Sequence, residues 1–164
     1  MKIVVRKAEA SDVEVVSSIL LEAASWLAER GIPLWRANEL APEHIQLEVL
    51  DGLFILAEAG GEVVGTMRYQ LEDPFFWPDV PKGESAYVHR LAVRRRAAGG
   101  AVSRALLEWA VHLTREGGRR YVRLDTDASR PRLRAVYEQF GFRHHSDRQV
   151  GPYYVARYEY DVLM

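Results

Sequence analysis

The sequence predicts one mixed α/β domain over residues 1–164, with a sheet that is partly parallel and partly antiparallel. Segments with apolar residues at three- and four-residue steps alternate with short strand-like runs. Two strand–helix–strand passages in the C-terminal half indicate parallel pairing, and a glycine hairpin between residues 52 and 70 indicates antiparallel pairing. The length corresponds to about one domain with room for a substantial core.

The N-terminal part begins with a predicted strand over residues 3–6, which two helices follow. Ser11 and Glu14 have the spacing of a capping box, so we expect Ser11 to cap a helix that ends near Gly31. Residues 42–50 predict a second, shorter helix.

The middle of the chain predicts a hairpin and a long loop. Residues 53–58 and 63–70 are two strands joined by a glycine turn, and Gly65 marks a β-bulge in the second strand. Residues 72–83 contain three prolines, which exclude regular structure there. The aromatic residues of this loop either cover the edge of the core or form a wall of a substrate pocket; they are Phe75, Phe76 and Trp77.

The C-terminal half alternates strands and helices. A helix from Val102 ends at the glycines 117–118, and another begins with Pro131 and ends at Gly141. The predicted strands cover residues 85–93, 121–125, 142–145 and 153–162.

Composition excludes several classes of chemistry. The absence of cysteine rules out disulfides, thiolate metal sites and a cysteine nucleophile. No window is apolar enough for a membrane span, and the start lacks the apolar region of a signal peptide, so we expect a cytoplasmic protein.

The two halves of the chain differ in charge. Residues 1–82 carry 7 Lys+Arg against 14 Asp+Glu, and residues 83–164 carry 15 against 9. This asymmetry is either uneven surface charge or a sign of an anionic and a cationic ligand. Nucleic acid is not an expected partner, because basic and acidic residues are interleaved.

A small-residue turn stands between the strand over residues 85–93 and the helix that follows. Its sequence is Arg96-Ala-Ala-Gly-Gly-Ala101, with no bulky side chain after the arginine. Such a turn exposes the free N–H groups at the start of a helix, where the helix dipole favours an anion such as a phosphate. The turn lacks the Gly-Lys-Ser/Thr of a P-loop and the context of a Rossmann fingerprint.

A second motif follows at a characteristic distance. About thirty residues after Arg96-x-x-Gly99-x-Ala101 comes Ala135-Val-Tyr-Glu-Gln-Phe-Gly-Phe142, which itself follows a strand. In this pair of motifs and in its order of elements the sequence resembles the GNAT superfamily of N-acetyltransferases over nearly its whole length. The resemblance implies a twisted, mostly antiparallel sheet with a parallel pair at the acetyl-CoA site, flanked by about four helices. It also implies acetyl-CoA as acyl donor, no metal, and a small-molecule amine or a protein amino group as acceptor.

The resemblance also implies which residues hold acetyl-CoA. The backbone of the strand end would pair with the pantetheine arm, and the turn would bind the pyrophosphate through its N–H groups. Many relatives have asparagine where this chain has Ser129, so the pantetheine contact there is made by a shorter side chain. The implied contact residues are Leu91, Ala92, Val93, Arg96, Ala98, Gly99, Gly100, Ala101, Val102, Ser103, Ser129 and Tyr137.

Amine acylation requires a base, a donor for the developing oxyanion and an acid for the leaving thiolate. Tyr137 matches the family's tyrosine beside the sulfur and is the expected acid, while an N–H near Leu91 or Ala92 would serve the oxyanion. Strand alternation is expected to place Tyr87, His89, Leu91 and Val93 on one face, and His89 is either the base or a wall residue. Glu84 is the second choice of base, and Tyr87 occupies the place where many relatives have a glutamate base.

Acceptor specificity is expected from elements outside the CoA motif. Acidic residues there would suit an ammonium or a polyamine, and aromatic residues would suit an apolar or ring-bearing group. The candidates are Leu34, Trp35, Phe76, Trp77, Glu84 and Asp125.

The sequence thus predicts an N-acetyltransferase that acts by direct transfer, as a monomer or a homodimer. Two alternatives stay open: a non-catalytic acyl-CoA-binding module of the same fold, and a nucleotide- or RNA-binding domain.

Overall fold

The computed structural model describes residues 2–32 and 35–164. The described residues form four α-helices and seven strands, which confirms the predicted mixed α/β class. The helices are α1 (Val13–Ala28), α2 (Pro42–Leu50), α3 (Ala101–Glu116) and α4 (Pro131–Phe140). The strands are β1 (Ile3–Lys7), β2 (Phe54–Ala59), β3 (Glu62–Gln70), β4 (Ser85–Val93), β5 (Tyr121–Asp127), β6 (Arg143–Val150) and β7 (Tyr153–Asp161).

Residue contacts divide the chain into two compact units. Unit one comprises the chain up to Arg68 together with Arg90–Leu107, and unit two comprises Tyr69–His89 and Glu108–Met164. The division therefore falls within β4 and within α3. The expectation of a single domain over residues 1–164 stays a prediction.

Unit one contains an antiparallel sheet covered by α1 and α2. β1 pairs with β2 and β2 with β3, both antiparallel, as the predicted hairpin requires. The helices bury their apolar faces against these strands, and the Ser17 hydroxyl donates to the carbonyl of Leu40 (2.6 Å). The fully buried side chains of this core include Val16, Ile19, Leu20, Leu40, Ile45, Phe54 and Leu56.

The expected capping box at Ser11 is wrong. A 3-10 turn over Ala10–Asp12 precedes α1. Asp12 rather than Glu14 completes its capping box, because the Asp12 carboxylate accepts a hydrogen bond from the backbone amide of Glu9 (2.7 Å). Asp12 is fixed there because Arg6 donates to both of its carboxylate oxygens, at 2.7 and 3.1 Å. The ion pair between Arg6 of β1 and Asp12 thus holds the turn from which α1 begins.

Gly65 is required by the close approach of α3. The register between β2 and β3 shifts beside it, which confirms the predicted bulge. A Cβ at position 65 would lie 2.6 Å from Cγ1 of Val102 and 3.4 Å from Leu106. The bulge carbonyl of Val64 accepts the amide of Arg94 (2.7 Å), the residue at which the turn into α3 begins. Gly65 therefore helps to set the position of that turn.

Unit two contains the parallel pair. β4 and β5 pair in parallel over Ser85–Tyr87 and Tyr121–Arg123, whereas β7 pairs antiparallel with both β5 and β6. Only the passage through α3 therefore produces adjacent parallel strands. In the passage through α4, β7 lies between β5 and β6, so the second strand–helix–strand unit does not give a neighbouring pair.

Two buried arginines anchor the 72–83 loop and the strands of unit two. Arg157 donates to both carboxylate oxygens of Asp79 (2.7 and 3.0 Å) and to the carbonyl of Phe76 (3.1 Å). Arg123 contacts Glu84 and Glu159.

None of the helices in the described parts of the chain is both long and apolar enough to cross a lipid bilayer.

Candidate active site

The turn before α3 has the conformation that an anion site needs. A 3-10 turn over Arg95–Ala97 leads to Gly99 and Gly100, whose φ angles are 137° and 98°. These angles disfavour any residue with a Cβ, and a Cβ built at either position would meet nothing within 4 Å. α3 then begins at Ala101 and continues for 16 residues, so its dipole and its first N–H groups lie directly behind the glycines.

Carboxylates hold the arginines of the turn. Glu22 of α1 accepts the Arg94 guanidinium (3.0 Å) and the backbone amide of Arg95 (2.8 Å). Arg96 pairs with Glu62 at 2.6 Å on the surface. In the structure the side chain of Arg96 therefore binds a glutamate, and the features of the turn that suit a phosphate are its glycines and the helix start.

The backbone of β4 departs from regular strand geometry at Arg90. This is the one residue other than glycine with a positive φ (54°) in the described part of the chain. The angle breaks the strict alternation expected for the strand, and Ala92 is buried in the core of unit one while Leu91 and Val93 are half-buried. Among the described residues the pairing of β4 with β5 stops at Tyr87, so the later backbone groups of β4 are not bound by β5.

A cluster of three titratable side chains lies just past the end of that pairing. His89 Nε2 lies 2.8 Å from Oδ2 of Asp73, in the loop after β3, and His89 Nδ1 lies 3.9 Å from Oδ2 of Asp125 on β5. All three side chains are nearly buried, with exposed fractions of 11%, 5% and 10% for His89, Asp73 and Asp125. Sequence reasoning selected His89 and Asp125 independently, and the structure brings them together.

The two ring nitrogens of His89 have different neighbours. If Asp73 is ionised, it accepts a hydrogen bond from Nε2–H, and the neutral imidazole then has its lone pair on Nδ1, facing Asp125. One ligand atom from each of the three residues lies within 4.8 Å of the others, close enough for a metal ion. The two ring nitrogens face different carboxylates, an arrangement that also allows the imidazole to transfer a proton.

Asp125 has an unusual electrostatic position. The pKa of Asp125 is raised from the ordinary 3.8 to about 6: burial is the main cause, the charge of Asp73 adds to it, and His89 and Arg157 oppose it. Its Oδ2 is the one buried carboxylate oxygen without a hydrogen-bond partner among the described residues. An unpaired buried carboxylate is costly, and such groups are concentrated at functional sites.

Tyr137 is buried in α4, where its ring contacts Phe142 and Tyr158. Burial raises its pKa to about 12, and the charge of Asp125 adds to the rise. The phenol is therefore protonated at neutral pH and interacts electrostatically with the cluster.

The aromatic residues of the 72–83 loop occupy two environments. Trp77 is buried, between the guanidinium groups of Arg157 (4.5 Å) and Arg123 (5.2 Å), and it covers the core edge as one of the two interpretations supposed. Phe76 instead lies beside His89, with 5.8 Å between the ring centroids. Phe75 is exposed and packs edge-on against Phe76 at 4.9 Å.

The other candidates are held by partners outside the cluster. The Tyr87 ring is buried beside Trp77, and Glu84 binds Arg123. The hydroxyl of Ser129 donates to Asp127 (2.6 Å). Trp35, in unit one, lies 5.8 Å from the Arg90 guanidinium, and Leu34 lies outside the described residues.

A family model described as the acetyltransferase (GNAT) family matches residues 20–142. The chain belongs to this GNAT family. The match spans α2, β4, the glycine turn and α4, so the predicted resemblance and the predicted acyltransferase activity are confirmed.

Known GNAT proteins are similar over most of the chain. An uncharacterized N-acetyltransferase of Bacillus subtilis, YesJ, is 27% identical over 146 residues, which cover 80% of this chain and 76% of YesJ. A GNAT acetyltransferase from Listeria monocytogenes superposes with a TM-score of 0.77 at 23% identity, covering 96% of this chain and 95% of that one. The PaiA N-acetyltransferase of Thermoplasma acidophilum, solved with coenzyme A, gives 0.78 at 19% identity, covering 98% and 100%. These solved structures show that the chain has the GNAT fold.

Within this GNAT fold, Asp73 is the residue of the cluster that sequence reasoning missed. It lies between Glu72 and Pro74 in an irregular loop, sixteen positions before His89, and no periodic pattern includes it. The one available signal was its place in front of an aromatic run, because an aspartate there can accept the amide three residues on. It does so from Phe76 (3.1 Å).

Proposed function

We propose that this GNAT protein transfers an acetyl group from acetyl-CoA to a primary amine by direct attack, with His89 as the base and Tyr137 as the acid. The observation that carries the proposal is the Asp73–His89–Asp125 cluster, in which a buried imidazole stands between two carboxylates. The absence of cysteine removes an acyl-cysteine route. The acetyl-CoA site would comprise the glycine turn, the start of α3 and the strand end at Leu91–Val93.

The residues of the turn fit coenzyme A. Its glycines carry no Cβ, their φ angles turn the backbone, and the N–H groups of α3 suit a pyrophosphate. Bound acetyl-CoA would supply a thioester carbonyl for attack and a thiolate as leaving group. The N–H groups near Leu91 or Ala92 would stabilise the developing negative charge on that carbonyl oxygen.

Asp125 and His89 would receive the amine together. An alkylamine with a pKa of about 10.4 is neutral in only roughly one molecule in 2,500 at pH 7, so it arrives as an ammonium. Asp125 Oδ2 and His89 Nδ1 lie 3.9 Å apart. The amine nitrogen can therefore lie about 2.9 Å from both atoms and donate a hydrogen bond to each. Asp125 would hold the ammonium, and Nδ1 would accept its proton before attack.

Asp73 would act as a positioning residue. Its Oδ2 holds the Nε2 proton of His89 and stabilises the imidazolium that forms, while its Oδ1 accepts the amide of Phe76. This arrangement leaves Nδ1 as the nitrogen that accepts a proton.

Tyr137 would donate a proton or a hydrogen bond to the leaving sulfur. Its pKa of about 12 exceeds the roughly 8.5 of a thiol, so the phenol would stabilise the leaving thiolate chiefly by donating a hydrogen bond. An ammonium beside Asp125 offsets one cause of the raised pKa and makes Tyr137 a better donor. Binding of the amine would thereby prepare the acid.

The test is an assay of thiol release from acetyl-CoA with a broad panel of primary amines, in which the acylated amine is identified by mass spectrometry. We expect thiol release that depends on the amine and matches product one for one. Thiol release without acylated amine, or no release with any amine, would contradict the proposal.

A further inference from the structure

Next to the cluster, unit two presents a surface of aromatic rings, which we call the ring wall: Phe75, Phe76 and Tyr153. Phe76 is 5.8 Å from His89, 4.9 Å from Phe75 and 6.3 Å from Tyr153, measured between centroids. Phe75 and Tyr153 are 57% and 51% exposed. Exposed aromatic rings that continue from a buried polar site are typical of a ligand-binding surface.

The ring wall is held in place by its backbone. The Phe76 amide donates to Asp73 Oδ1 and its carbonyl accepts from Arg157, which also binds Asp79. The Trp77 amide donates to the carbonyl of Asp73 (3.0 Å). Asp73 therefore fixes both the imidazole of His89 and the residue whose ring lies against it.

Several carboxylates of unit two are held by arginines, whereas Asp125 keeps a buried oxygen without a hydrogen-bond partner among the described residues. Asp79 is occupied by Arg157, while Glu84 and Glu159 are both occupied by Arg123. In the residues that the structure describes, Asp125 Oδ2 is the buried carboxylate oxygen that has no partner. A polyamine would need a second acid at a distance, whereas this surface continues into rings.

We infer that the acceptor is a primary monoamine joined by a short spacer to an aromatic or similarly flat apolar group, with its ammonium at Asp125 and its ring against Phe76. The inference rests on the proposed function and names the acceptor class of the same site. Ring contacts with an aromatic wall add affinity beyond that of area burial alone.

The experiment compares three amines with acetyl-CoA: 2-phenylethylamine, n-butylamine and 1,4-diaminobutane. We expect kcat/KM for 2-phenylethylamine to exceed that for either other amine by about tenfold or more. Phe76→Ala should lower kcat/KM for 2-phenylethylamine by about tenfold more than it lowers that for n-butylamine. Tyr154→Ala is the matched control, because Tyr154 is 54% exposed beside Tyr153 and outside the ring wall.

A preference for the diamine, equal use of n-butylamine, or an equal loss in Tyr154→Ala would overturn the inference. If Phe76→Ala unfolds at a lower temperature than the native protein, Phe75→Ala, at an exposed position, provides a second variant. Calorimetric binding of 2-phenylethylamine to the CoA-saturated protein separates the two proposals. Binding that depends on Phe76 without turnover would overturn the function and support the acceptor class, and turnover of other amines without such binding would do the reverse.

Discussion

β4 supplies two regions that are built in opposite ways. The turn that follows it depends on backbone, and carboxylates already hold two of its arginines: Glu22 binds Arg94, and Glu62 binds Arg96. The cluster at His89 depends on side chains, and it keeps one carboxylate oxygen without a partner. The turn is therefore compatible with a stable fold, whereas ionised Asp125 lowers stability, which the proposed role in turnover would explain. Changes in the turn should alter affinity for acyl-CoA, and changes around the cluster should alter turnover.

The largest expected effect is that of Tyr137→Phe. Loss of the phenol should lower kcat by roughly 10²- to 10⁴-fold, because the leaving thiolate loses its donor. The dissociation constant for coenzyme A, measured by calorimetry, should stay nearly constant. Tyr154→Phe removes an exposed phenol and serves as the control. Full activity in Tyr137→Phe would remove the acid from the proposal.

Asp125→Asn should lower turnover and raise stability. We expect kcat/KM to fall by about a hundredfold, because the ammonium of the acceptor loses the carboxylate that would bind it. The pKa of about 6 means that the native state takes up a proton as pH falls from about 6 to about 4, where the unfolded chain is still ionised. Ionised Asp125 therefore costs up to roughly 3 kcal/mol of folding free energy above pH 6.

Thermal unfolding across pH measures this cost. The Asn variant should melt several degrees higher at pH 7.5, since about 1 kcal/mol corresponds to roughly 2–4 °C in a chain of this size. The difference should shrink as pH falls toward 4. In the native protein kcat/KM should decline as pH falls through about 6, where Asp125 becomes protonated. A variant less stable than the native protein at pH 7.5 would contradict this account of Asp125.

Asp73→Asn should have a smaller effect, because Asp73 acts through His89. We expect about a tenfold loss of kcat, with little change in the KM for acetyl-CoA or for the amine. Imidazole nitrogen NMR separates positioning from general damage. The native protein should show the tautomer protonated at Nε2, and the variant should show a mixture. An unchanged tautomer together with lost activity would contradict the positioning role.

The smallest effect should come from the turn. Gly100→Ala places a Cβ at a φ of 98°, and we expect KM for acetyl-CoA to rise a few-fold with kcat preserved at saturation. Gly83→Ala introduces similar strain at a φ of 80° in the 72–83 loop, again with nothing within 4 Å of the new Cβ. It should lower stability without changing that KM. Equal KM changes in both variants would show that the turn has no special role in binding.

The sequence by itself determined the features that depend on neighbouring residues. The glycines before α3, the start of α4 at Pro131 and its end at Gly141 follow from local backbone preference, and the structure places them as predicted. The hairpin around Gly60 and the bulge beside Gly65 follow in the same way. The two family motifs are local as well, which is why the GNAT family could be recognised before any contact was known.

Tertiary structure alone decided the pairings between distant residues. Asp12, rather than the predicted Ser11, is the N-cap residue of α1, because Arg6 of β1 binds its carboxylate. β7 lies between β5 and β6 although it comes last in the chain. Asp73 joins His89 because an irregular loop closes on β4, and no local periodicity predicts such a contact. The proposal that His89 is a base rather than a wall residue therefore rests on a carboxylate that only the folded chain brings to its ring.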